Sequence, residues 1–89
     1  MGVVTEAMRR KLEAAFAPSR LDIIDDSDKH HGHSGHREGG ESHFTVIIES
    51  AAFAGVNRVE RQRRINRVLA EDLAGPVHAL SIKAMAPGE

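Results

Sequence analysis

HFTVIIES, His43 to Ser50, is rich in β-branched residues and repeats with a period of two. Phe44, Val46 and Ile48 fall on one face, and His43, Thr45, Ile47 and Glu49 on the other. The stretch therefore reads as a β-strand with one side turned to a core. Upstream, RLDII alternates Leu21 and Ile23 against Asp22 before Ile24 and a run of acidic residues, which predicts a shorter strand ending near Asp26. The two strands pair most simply as a hairpin. Their connection, Ser27 to Ser42, is longer than most hairpin loops, and loops of that size in compact domains are usually functional or disordered. Ser27 to Glu41, with glycines, polar residues and no apolar anchor, is expected to be the most mobile internal segment of the free protein.

Helices flank this pair. Thr5 is a candidate cap for a first helix to about Phe16, with Val4, Met8, Leu12, Ala15 and Phe16 on one stripe and Pro18 as its stop. After the second strand, AAFAG predicts one helical turn ended by Gly55. A longer helix follows from about Asn57 to Leu73, with Val59, Ile65, Val68, Leu69 and Leu73 assigned to its inner stripe and Arg63, Arg64 and Arg67 outside. Arg61 falls within the apolar arc, where an arginine must snorkel to the edge or meet a partner. Gly75 and Pro76 close the helix. VHALSIKAM then predicts a last strand, with Val77, Ala79, Ser81 and Lys83 facing away from His78, Leu80, Ile82 and Ala84, so that His78 shares the inward-looking face. The order α-β-β-α-α-β gives an α+β layer, a three-stranded mixed sheet with its helices on one face.

The chain has 89 residues, which is enough for one domain, residues 1–89, and too few for two cores. Hydrophobic residues make up 40% of it but only three are aromatic, so the core rests on Val, Ile, Leu and Ala. There is no cysteine, which excludes disulfides, a thiolate nucleophile and any metal centre built on the chain's own sulfur, and fits a reducing cytoplasm. No apolar run approaches the roughly 20 residues of a membrane span, and Met1 to Phe16 lacks the apolar stretch of a signal peptide. A cytoplasmic protein with no membrane partner is expected. Twelve basic and thirteen acidic residues give a net charge of −1, so nucleic-acid binding would need a local patch.

DKHHGHSGHREGG, Asp28 to Gly40, holds His30, His31, His33 and His36, and His43 and His78 bring the histidine count to 6. Neutral imidazole ligates zinc, nickel, copper and iron. In a glycine-rich loop the three-residue spacing of His30, His33 and His36 has none of the geometric meaning it has on a helix, so the loop alone reads more readily as a solvated, mobile segment than as a metal site. A lone histidine on a strand, such as His78, is more often a satisfied edge or core residue than a ligand.

DDSDKH, ESHFTVIIES, FAGVNRVERQRRINRVLAEDL and GPVHALSIKAMAP, in that order and at these separations, resemble the BolA family over nearly the whole chain. Gln62 stands where the family usually has His, and the sequence ends at Pro87-Gly88-Glu89 without the family's common Trp. The resemblance implies a fold similar to the type II KH domain, in agreement with the order read from periodicity. It also implies pairing with a monothiol glutaredoxin and a shared [2Fe-2S] cluster, in which a C-terminal histidine and a loop histidine or cysteine face iron. Carried onto this sequence these are His78 and His30, with His33 the competing choice in the loop. Two imidazoles would leave the other ligands to glutaredoxin and its glutathione. The isolated chain is then expected to be a monomer without a cluster, and the partnered one a heterodimer.

The family also includes members described as transcription regulators. Arg58, Arg61, Arg63, Arg64 and Arg67 form a local basic surface suited to phosphates, partly offset by Glu60, Glu71 and Asp72. A KH-type RNA clamp is not expected, because Gly55-Val56-Asn57-Arg58 lacks the second glycine of GxxG. An enzyme is not expected either. Glu41, Ser42 and His43 are consecutive on a strand, where neighbours point to opposite faces and cannot form a triad.

Overall fold

The computed structural model describes residues 2–26 and 43–89. The expectations placed on Ser27 to Glu41, its mobility and the positions of His30 and His33, lie outside the described residues.

The first helix, α1, runs over Val3–Phe16 and is followed by β1 (Arg20–Asp25) and β2 (His43–Glu49). A 3-10 turn at Ala51–Phe53 leads into α2 (Arg58–Val68), α3 (Ala70–Ala74) and β3 (Ala79–Met85). The sheet order is β1-β2-β3. β1 runs antiparallel to β2 with Leu21 opposite Ile48 and Ile23 opposite Val46. β3 runs parallel to β2, with Leu80, Ile82 and Ala84 opposite Phe44, Val46 and Ile48. These three rows make one apolar face, and Phe44, Val46 and Ile48 at its centre are almost fully buried, as their alternation predicts.

Met8 and Leu12 of α1, Ile65 and Leu69 from α2 and its end, Phe53, Val77 and Ala86 complete the buried cluster over this face. Phe16 and Phe53 meet with ring centroids 5.0 Å apart, tilted by 42°. Ser50 pins the same corner. Its hydroxyl donates to the Phe16 carbonyl at 2.6 Å and accepts the Ala52 amide at 3.1 Å, tying α1 to the 3-10 turn. Gly55 then reverses the chain at φ 75, a backbone that only glycine adopts without strain.

Five local expectations are corrected. Thr5 does not cap α1: Gly2 does, its carbonyl accepting the Glu6 amide, and Thr5 is buried within the first turn. Val59 is 60% exposed. At 100° per residue it lies about 120° around the helix from Ile65, and Arg61 occupies the inner row instead. The single helix to Leu73 is two helices, because Leu69 leaves helical geometry at φ −98, ψ 17. That kink keeps Leu69 fully buried and turns Asp72 toward α1, where Lys11 Nζ donates to its carboxylate at 2.8 Å. The last strand starts at Ala79, so its alternation does not reach Val77, which enters the core at 3% exposure and donates its amide to the Asp72 carbonyl. His78, expected to look inward, is exposed.

Among the described residues no helix is long and apolar enough to cross a membrane.

Candidate functional site

The end of β1 and the starts of β2 and β3 meet at one end of the sheet. Asp25 is opposite Phe44, Phe44 is opposite Leu80, and His43 is opposite Ala79. The Asp26 amide donates to the His43 carbonyl at 2.7 Å, and Thr45 donates to the Asp26 carboxylate from the next row. Asp26 and His43 are the two anchors of the histidine-rich connection. His78 directly precedes Ala79, so the last strand brings it to the same end. It is exposed, and no described residue hydrogen-bonds its ring. His43 is half-buried and, next to inward Phe44, belongs to the sheet face away from the helices. No group of three or more His, Asp or Glu suited to a metal exists among the described residues. Any ligand set at this end must draw on the loop or on another molecule.

The arginines of α2 separate into two groups. Arg58, Arg63 and Arg67 are exposed, and Arg64 is half-exposed with its Nε 3.2 Å from Glu60. Asn57 starts the helix, its side chain accepting the Glu60 amide at 2.8 Å. Arg61 does not share their surface. It is only 9% exposed, and its Nε donates to the Val56 carbonyl at 2.7 Å. Nη1 donates to the Ala84 carbonyl at 3.1 Å, and the guanidinium grips the Glu89 carboxylate with both nitrogens at 2.6 and 2.5 Å. The Ala86 amide adds a bond to the same carboxylate at 3.0 Å. The Arg61 fork, helped by that amide, holds the Glu89 carboxyl down at about 2, while Glu89 raises Arg61 in turn. At the other helix junction the hydrogen bond that Lys11 donates to Asp72, reinforced by the charges of Asp72 and Glu71, raises Lys11.

Glu89 went unforeseen. Arg61 in an apolar arc was the available signal that a partner exists, but no spacing rule joins two residues 28 positions apart.

Residues 12–89 match the family model described as BolA-like protein. BolA-like protein 1 of Pongo abelii is 42% identical over 89 residues, covering 100% of this chain, which spans 62% of that protein's length. The DNA-binding transcriptional regulator BolA of Escherichia coli is 39% identical over 80 residues, covering 90% of this chain and 72% of its own. The solved structure of BolA1 from Arabidopsis thaliana superposes with a TM-score of 0.86 at 36% identity, covering 100% of this chain and 98% of that one. A helix-flanked mixed sheet with a parallel last strand, a family model that takes in all of it from the middle of α1 onward, and relatives matched across the chain agree: this chain belongs to the BolA family.

Proposed function

We propose that this protein is a non-enzymatic partner of a monothiol glutaredoxin that contributes histidine ligands to a shared [2Fe-2S] cluster, in iron-sulfur trafficking or iron regulation. The observation that carries this reading is the position of His78, exposed at the sheet end where Asp26 and His43 anchor the histidine-rich loop. His30 is four residues beyond Asp26, a reach of at most ~13–14 Å. Two strand spacings, ~10 Å, separate β1 from β3. His30 can therefore meet His78 without any change in the sheet, and His33, seven residues beyond Asp26, has still more reach.

The donor chemistry fits a half-site. This chain offers imidazoles and no thiolate, so the remaining ligands come from glutaredoxin and its bound glutathione. When bound, the cluster supplies one-electron redox chemistry and a transferable iron-sulfur unit. The chain's own part is to present imidazoles from the start of β3 and from the connection between β1 and β2. Mixing the protein with cluster-loaded glutaredoxin and recording visible circular dichroism tests this. His78→Ala should abolish the spectral change of the mixture while complex formation persists. An unchanged spectrum overturns the assignment of His78, and a change with His33→Ala but not His30→Ala moves the loop ligand to His33.

A second reading, DNA-binding transcription regulation, is favoured by the name of the Escherichia coli relative and by the exposed Arg58, Arg63 and Arg67, with Arg64 beside them. Arg61 contributes nothing to that surface while its guanidinium is engaged by Glu89. A sequence-selective complex formed by the protein alone, weakened evenly across sequences by Arg63→Ala or Arg67→Ala, would support it.

A further inference from the structure

A cleft of about 350 Å³ lies between the start of α2 and the outer edge of β3, lined by Arg58, Arg61, Gln62, Ile82, Lys83 and Glu89 among others. It is at the far end of the sheet from His78, since β3 runs from Ala79 beside His78 to Met85 beside the cleft. His78 takes no part in the lining of the cleft.

Two features of the cleft belong together. The first is the strand edge. Among the described residues β3 pairs only with β2, and the Ser50 amide reaches the Met85 carbonyl, so the odd-numbered residues of β3 direct their backbone groups into the sheet. The even-numbered ones direct theirs outward, as Ala84 shows by giving its carbonyl to Arg61. Ile82 and Leu80 thus continue an outward row of amides and carbonyls along the open edge. The second is the anion receptor. Arg61 is fixed from behind by the carbonyls of Val56 and Ala84, and its remaining fork closes on a carboxylate. The carboxylate held there belongs to Glu89, whose side chain is 44% exposed and which is reached through Gly88 at φ 89. Arg58 and Lys83 flank it, and neither is ion-paired with an acidic side chain among the described residues, so the cleft stays cationic after Glu89 is counted.

We infer that this cleft is a docking site for an extended acidic peptide segment of a partner protein, which adds to the open edge of β3 and places a carboxylate on Arg61 in exchange for Glu89. Backbone bonds to the outward row at Leu80 and Ile82 hold the strand, and the Arg61 fork with Arg58 and Lys83 selects acidic side chains. Glu89 acts as a built-in competitor: it keeps Arg61 paired when the cleft is free and sets a threshold that an incoming carboxylate must exceed.

The test uses the full chain and an acetylated, amidated Val-Glu-Val-Glu-Val peptide, followed by amide and arginine Nε chemical shifts. The amides of Leu80, Ile82 and Ala84 and the Arg61 Nε should shift together. Glu89→Ala should tighten binding at least about tenfold by removing the competitor, while Arg58→Ala and Lys83→Ala, both surface changes, should weaken it. A Val-Gln-Val-Gln-Val peptide, or the Glu peptide N-methylated on its edge-facing amides, should not bind. Equal binding of the glutamine peptide, no gain with Glu89→Ala, or shifts confined to residues outside β3 and α2 would each overturn the proposal. Saturation by inorganic phosphate that reproduces the β3 shifts would replace it with a simple anion site.

Discussion

Arg61 occupies a helix position that packing alone would give to an aliphatic residue. Its cost of burial is offset by four acceptors: two backbone carbonyls and both oxygens of Glu89. This arrangement has a pH signature. The Glu89 carboxyl is depressed from 4.5 to about 2 in the folded chain, chiefly by the Arg61 hydrogen bonds. A depressed folded value means that the pair's contribution to stability is present above the unfolded value and is lost as pH falls through the folded one. Wild type should therefore lose stability between about pH 4.5 and about 2, and Glu89→Gln should lack that part of the slope. Chemical denaturation at a series of pH values, with the Glu89 side-chain carbon followed by NMR, checks both. His78 gives the opposite expectation at the same scale. It is exposed and makes no hydrogen bond with a described residue, so His78→Ala should change the stability of the free protein by no more than about 0.5 kcal/mol. A thermal melt that falls well beyond that would mean the side chain is structural, and the loss of cluster co-ligation in this variant would then say little about ligation.

At the scale of the elements, periodicity located the first helix, the long helical stretch after Asn57 and the three strands because each buries one face against the same core, while Gly55 marked the short turn between. HFTVIIES was legible since its alternation matches its burial residue by residue, and the Met8 and Leu12 stripe of α1 was legible for the same reason. Boundaries were not. Gly2 starts α1 through a backbone bond that leaves no sequence mark, and the break at Leu69 comes from tertiary packing, since nothing in RVLAEDL disfavours a continuous helix. Two caps carry measurable consequences. Asn57 accepts the Glu60 amide, so Asn57→Ala should destabilise the protein by about 1 kcal/mol in urea unfolding. Ala17 ends α1 in the left-handed region at φ 44, where a Cβ is unfavourable. Ala17→Gly should stabilise by about 0.5–1 kcal/mol, although glycine substitutions usually destabilise. A loss of stability on that change would mean that the left-handed cap is not adopted in solution.

At the scale of the whole molecule, the mixed sheet separates the buried core from the end that carries Asp26, His43 and His78. The core cluster draws on α1, all three strands and the helices that cover them, and Ile65 sits fully buried at its middle, so Ile65→Ala should cost about 2–5 kcal/mol. The candidate ligand end was legible as chemistry and in part as topology: six histidines and no cysteine announced imidazole without thiolate, and a mixed sheet was expected, but no local pattern said that β3 pairs parallel with β2 and so begins beside the loop anchors. That placement permits a decisive experiment. Asp25 pairs with Phe44, and the Asp26 amide bonds to the His43 carbonyl, so β1 and β2 are already in register where the long connection leaves them. Replacing residues 27–42 by Asn-Gly should close the hairpin with a tight turn that suits its twist. Shortening a connection about eightfold removes roughly three doublings of loop length, worth about 0.6 kcal/mol each, so the variant should be at least as stable as wild type. It should also retain His78 in place and, on the proposed co-ligation by His78 and a loop histidine, lose the spectral change with cluster-loaded glutaredoxin, because no loop imidazole remains to complete the pair. Restoring DKHHGHSGHREGG with every histidine but His30 changed to asparagine should bring the spectrum back. Failure of that rescue, with success for the corresponding His33 version, would assign the loop ligand to His33. A spectrum that survives the deletion itself would show that the connection plays no part in co-ligation.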